Sequence, residues 1–118
     1  MDGGRGILRV WTGVITADEV IRATADYYAH ENWKKIDYVI ADFSGVTQVI
    51  GASDSVRDLV KADERIASLI PELAIAVVAP SDLLFGLSRM WEMLNQRIGW
   101  NLCVFRTRPE AEAWIKSL

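Results

Sequence analysis

The chain has 118 residues, with 13 Lys and Arg against 16 Asp and Glu, a formal net charge of -3, and 51% hydrophobic and 25% charged residues. That balance describes one globular domain over residues 1–118, long enough to bury roughly two-thirds of the surface its unfolded form exposes. It supplies no basic stripe for nucleic acid, and the single Cys103 can form neither an intrachain disulfide nor a cysteine-based zinc site.

The polar, glycine-rich residues 1–6 read as a flexible N-terminus without the apolar core of a signal peptide. Four strand-like runs then alternate with four helix-like patterns. Ile7–Ile15 is rich in β-formers, with Leu8, Val10, Thr12 and Val14 on one face. Gly13 inside it predicts a bulge, a bend or the close approach of another backbone. Thr16 stands three residues before Glu19, a capping-box spacing, so a helix begins there. Ala17, Val20, Ile21, Thr24, Tyr27 and Tyr28 line its apolar face.

Glu31–Lys35 is a polar connection holding Trp33, and Asp37–Phe43 is the second strand. Ser44–Gly51 reads as a loop, with Gly45 and Gly51 near its ends. Ser53 is placed to cap a helix over about Asp54–Ile70, which Pro71 stops. Leu73–Ala79 is apolar throughout, the pattern of a central strand covered on both faces. No apolar run approaches the ~20 residues of a membrane span, so a cytoplasmic setting without membrane contact is expected. Ser81 and Asp82 open a third helix, which runs to about Ile98 and ends before Gly99. Leu102–Phe105 is the fourth strand, and Thr107 with Glu110 repeats the capping box before a short last helix. These alternations predict an α/β fold: a mainly parallel four-stranded sheet with four packed helices.

Few residues suggest chemistry. His30, the only histidine, falls near a helix end, where solvent exposure accounts for it. Cys103 sits among apolar neighbours and reads as a small core residue. The glycines form no phosphate loop, Asp54 and Asp82 already occupy two helix starts, and no cofactor motif or metal set is present. Asp63 is different. Val56, Leu59, Val60, Ile66, Ala67 and Ile70 trace a buried face, and at about 100° per residue Asp63 falls at its centre. A carboxylate there needs a partner or a raised pKa, as a structural tie or as the polar anchor of an apolar pocket. On the third helix Leu84, Leu87, Trp91, Leu94 and Ile98 make the core stripe, flanked by Leu83 and Met90. Phe85 lies opposite that stripe and Met93 to one side with Gly86, which suits either a contact surface or ordinary packing.

Asp42-Phe43-Ser44-Gly45-Val46-Thr47 resembles the Asp-Leu-Ser-Gly-Val segment of the SpoIIAA-like, or STAS, superfamily. That superfamily comprises anti-sigma-factor antagonists and sulfate-transporter tail domains. The outline continues over nearly the whole chain, and Val78–Asp82, Phe85-Gly86 and Val104–Arg106 look like an uncharacterised bacterial branch related to the CRAL-TRIO lipid-binding fold. The phosphorylatable Asp-Ser of the antagonists falls on Ile50 and Gly51 here, so the resemblance does not carry over the serine switch unless Ser53 substitutes.

The expected function is a non-catalytic regulatory or protein-binding module, with a protein partner and a homodimer expected. Its contact surface would comprise Ser44, Gly45, Gly51 and Ser53 with Ser81, Asp82, Phe85 and Met93. The alternative is a carrier or sensor for a small apolar ligand in a pocket near Asp63, lined by Asp63 and the Trp/Tyr set. An enzyme would have only Asp42, Asp63, Asp82 and His30 to draw on. A closed pocket containing Asp63 favours the carrier; an open patch around Phe85 favours the protein-binding surface.

Overall fold

Hydroxyl caps mark where helices begin. In the computed structural model, which describes residues 6–28, 36–51, 53–68, 70 and 72–118, the Glu19 amide donates to Thr16 Oγ1 at 3.1 Å. That cap turns β1 (Gly6–Thr16) directly into α1 (Ala17–Tyr28). Thr107 does the same for α4 (Arg108–Lys116), accepting from the Glu110 amide and donating its own proton to the Glu110 carboxylate at 2.8 Å. Residues 1–5, His30, Glu31–Lys35 with Trp33, Pro71 and the Ser53 side chain lie outside what is described.

Between those helices run β2 (Tyr38–Ile50), α2 (Ser53–Ala67), β3 (Ala74–Val78), α3 (Asp82–Leu94) and β4 (Asn101–Phe105). The four strands form one sheet in the order β1-β2-β3-β4, and every neighbouring pair is parallel. Alternation along the strands divides the core in two. Val39, Ile75, Val77 and Val104 pack against α2 and α3 through Val56, Val60, Leu84 and Trp91. Ile40, Ala76 and Val78 meet Ala111 and Ile115 of α4 on the opposite face. β3 is buried at every position, as an all-apolar run between two helical layers must be. Each large side chain so buried stabilises the fold by about 1.5–3 kcal/mol. Helix α4 packs on β2, β3 and β4, leaving Leu8, Val10 and Val14 of β1 exposed on that face.

Ser44–Gly51 corrects the sequence expectation of a loop: β2 continues through Ile50. Register shifts between Val10 and Thr12, and between Gly13 and Val14, let β1 follow it throughout. Gly13 takes the left-handed conformation at φ +73°, so the predicted bulge is present. Gly45 breaks no strand. A Cβ there would lie 2.8 Å from Thr12 Cγ2, so glycine permits the two strands to approach. Helix α2 begins at Ser53, one residue before the expected start. Helix α3 stops at Leu94, and a separate 3₁₀ turn, Gln96–Ile98, leads to Gly99 at φ +87°. Leu83 does not flank the core stripe: it is exposed. Among the described residues no helix is long and apolar enough to cross a membrane.

Trp100 closes the bottom of the α2 layer. Its indole Nε1 donates to the Ile70 carbonyl at 2.8 Å, and both residues are buried. Trp100→Phe removes that donor and should destabilise the domain by about 1–3 kcal/mol, in addition to any packing loss. Urea denaturation measures it; an unchanged midpoint would contradict this placement.

Candidate functional site

Alternate residues of β1 and β2 point toward the three-helix face and do not fill the space above it. A half-open cavity of about 150 Å³ lies there, with walls from the sheet and from α1, α2 and α3. Trp11 and Phe43 form one wall, their rings stacked at 9° with centroids 6.0 Å apart. Val20 and Ile21 line it from α1, Leu59 from α2, and Leu87 and Trp91 from α3. Arg9 also reaches the cavity, its guanidinium carbon 5.3 Å from the Trp11 ring centroid. Thr24, another lining residue, donates its hydroxyl proton to the Val20 carbonyl at 2.8 Å.

Asp63 lines this cavity while only 3% exposed. Its Oδ2 accepts from Trp91 Nε1 and from Asn95 Nδ2, each at 2.8 Å. Its Oδ1 accepts from no described residue. Among the described residues the one buried side-chain polar atom both sealed and unpaired is Asn95 Oδ1, so Asp63 Oδ1 keeps accessible surface. Asp63 is a lining residue, and Oδ1 is its carboxylate oxygen without a described donor. Burial pushes the Asp63 carboxyl up to about 6, and the Trp91 and Asn95 hydrogen bonds offset only part of the effect.

Asp42 has the opposite balance on the opposite face. Burial alone would raise its pKa, but the Ser44 hydroxyl and amide, with Arg108, hold it below the ordinary value. The Ser44 amide donates to Asp42 Oδ1 at 2.8 Å and Arg108 Nη1 to Oδ2 at 3.3 Å. Since Ala41 and Phe43 line the cavity, Asp42 between them points to the α4 side. The two carboxyls therefore cannot work as an acid–base pair.

Of the contact residues expected from sequence, Asp63 is the one that lines the cavity. Ser44 is committed to Asp42, Gly45 to the approach of Thr12, and Gly51 ends β2 at φ +71°. Ser53 opens α2. Ser81 caps α3 by accepting from the Leu84 amide at 3.2 Å, and Asp82 pairs with Arg106 at 2.8 Å. For Phe85, placed opposite the core stripe, the sequence left contact surface and ordinary packing open. It is half-buried, packs on the main core, and lies under Arg106, whose guanidinium carbon is 4.1 Å from the ring centroid. Met93 is exposed as expected. Cys103 is half-buried, and burial with the nearby Glu92 charge pushes its thiol pKa up, away from nucleophile chemistry.

Trp11 belongs to the Trp/Tyr set expected to line such a pocket, whereas Phe43 and Asn95 were not anticipated as site residues. Period-two alternation puts Trp11 and Phe43 on one sheet face, and Asn95 follows Trp91 by one helical turn, so both signals were present. No family model, curated protein or solved structure matches the chain.

The Asp63 shift fixes a pH dependence. Its pKa is about 6 in the folded chain against an ordinary 3.8, so from about pH 4 to pH 6 the unfolded chain releases the proton while the folded chain keeps it. Stability from this group is greatest below about pH 4 and falls as pH rises to about 6, by about 3 kcal/mol at about 1.4 kcal/mol per pH unit. Asp63→Asn lacks this titration and leaves Asp42 intact. Urea denaturation at pH 4 and pH 7 should show the stability difference moving by up to about 3 kcal/mol in the variant's favour as pH rises. A difference independent of pH would contradict the assignment.

Proposed function

We propose that this domain is a non-catalytic carrier or sensor that holds a small, mainly apolar molecule in the cavity beside Asp63. The observation that carries the proposal is the Asp63 carboxyl, its Oδ1 unpaired among the described residues, on the wall of a mainly apolar space. A cavity of about 150 Å³ accommodates roughly one benzene-sized ring.

The partners of Asp63, Trp91 and Asn95, do not titrate, and Asp42 stands across the sheet, which supports binding over catalysis. The parallel four-stranded sheet with four helices agrees with the fold that the SpoIIAA-like resemblance implies. We extend the proposal to that kinship without its serine switch: Gly51 stands at the register of the phosphorylated serine and takes φ +71°, which favours glycine. The single thiol, half-buried Cys103, suits the reducing cytoplasm proposed as its setting.

Toluene tests the cavity directly. At a hundredfold excess over Kd it should stabilise the domain by about 2.7 kcal/mol, a rise in Tm of roughly 10 °C at this size. Ala41 lines the cavity from β2, and Ala41→Leu should fill the space and abolish the shift. No shift in the native chain, or an equal shift in Ala41→Leu, would overturn the proposal.

A further inference from the structure

We infer that the molecule this cavity selects is a single aromatic ring bearing one O–H or N–H donor, of the phenol class, with Asp63 Oδ1 as the selecting acceptor. The inference rests on the ligand-binding function proposed above and specifies its chemistry.

The acceptor inventory comes first. Asp63 Oδ2 already takes two donors, from Trp91 and Asn95, which fills its in-plane lone pairs. Both donors sit on buried side chains, so the carboxyl is fixed in orientation and keeps one oxygen without a described donor. A ligand with no donor leaves that oxygen unpaired in an apolar space, at a cost of about 1–3 kcal/mol. A ligand offering only acceptors sets its lone pairs against the carboxylate. An alkylammonium brings three N–H donors to a wall where one carboxylate oxygen is open, with the Thr24 and Ser88 hydroxyls as the side-chain alternatives. It would also enter a cavity whose lining already includes a cationic residue, Arg9. Arg9 and Asp63 are the two charged groups among the described lining residues. One donor is the number that satisfies the site, and a hydroxyl on a carboxylate makes a short, charge-assisted bond.

Shape supports a ring. The nearly parallel rings of Trp11 and Phe43 present a planar aromatic wall, with the Trp91 indole also lining the space and held by Asp63. An aromatic guest can stack or pack edge-to-face there, adding about 0.5–1.5 kcal/mol beyond burial. The volume, near that of a benzene site, limits the guest to about one ring.

Calorimetric titration of the full chain at pH 7.5 with phenol, toluene, anisole and benzylamine tests the assignment. Phenol should bind at least tenfold more tightly than toluene, with anisole and benzylamine weaker than phenol. In Asp63→Asn, Trp91 and Asn95 hold the amide oxygen and the amide NH₂ faces the cavity. The preference for phenol over the acceptor-only anisole should then fall at least tenfold. Equal binding of phenol and toluene by the native chain would overturn the donor inference while leaving the cavity function intact. Benzylamine as the tightest ligand would overturn it in favour of a cation. Binding of none of the four would overturn both this inference and the proposed function. If Asp63→Asn does not fold, the four native titrations decide alone.

Discussion

A carboxyl group buried under three helices and tied by two N–H donors is the constraint on which the helical layer depends. Asp63 joins α2 to Trp91 on α3 and to Asn95 at its end, across 28 and 32 residues of sequence. An isolated ionised carboxylate in hydrocarbon would neutralise or unfold its surroundings. Hydrogen bonds to a charged group contribute about 1.5–3 kcal/mol each, enough to retain the group but not to restore its ordinary acidity. A leucine at this position could repack into the neighbouring space. A carboxyl already bound to two donors cannot, and the space beside it remains open.

The sheet determines where that space lies. Four parallel strands in sequential order, each connected by a helix, place α1, α2 and α3 on one face. The chain after β4 crosses to the other face, where α4 seals Ile40, Ala76 and Val78. The two faces consequently differ in chemistry. On the α4 side the buried Asp42 is matched by Arg108 and Ser44 and keeps its charge readily. On the three-helix side Asp63 has neutral donors alone, and the Trp11–Phe43 pair stands beside unfilled volume.

Local signals in the sequence were sufficient for most of the fold. The hydroxyl caps at Thr16 and Thr107, the all-apolar Ala74–Val78 strand and the buried phase of Asp63 depend on neighbouring residues alone. Ser44–Ile50 misled because glycine normally breaks a strand, whereas Gly45 admits the Thr12 methyl group from the adjacent strand. That contact depends on a register set by two irregularities, of which Gly13 signals one and no local pattern signals the other. Phe85 stayed open for a related reason: helical phase turned it outward, and Arg106, from beyond the end of β4, covers it. The site was legible in its polar anchor and not in its volume. Asp63 and Trp91 could each be assigned to a buried stripe, but an unfilled space results from the separation of three helices above a sheet.

The ionisation of Asp63 is the most direct measure of this account. Carbon-detected NMR of its carboxyl group, titrated from pH 3 to pH 8, should give a midpoint near 6, with the Trp91 indole N–H resonance shifting over the same range. A midpoint near the ordinary 3.8, with the indole resonance unmoved, would contradict it: the carboxyl would be solvated and free of Trp91, and the cavity would have no buried anchor.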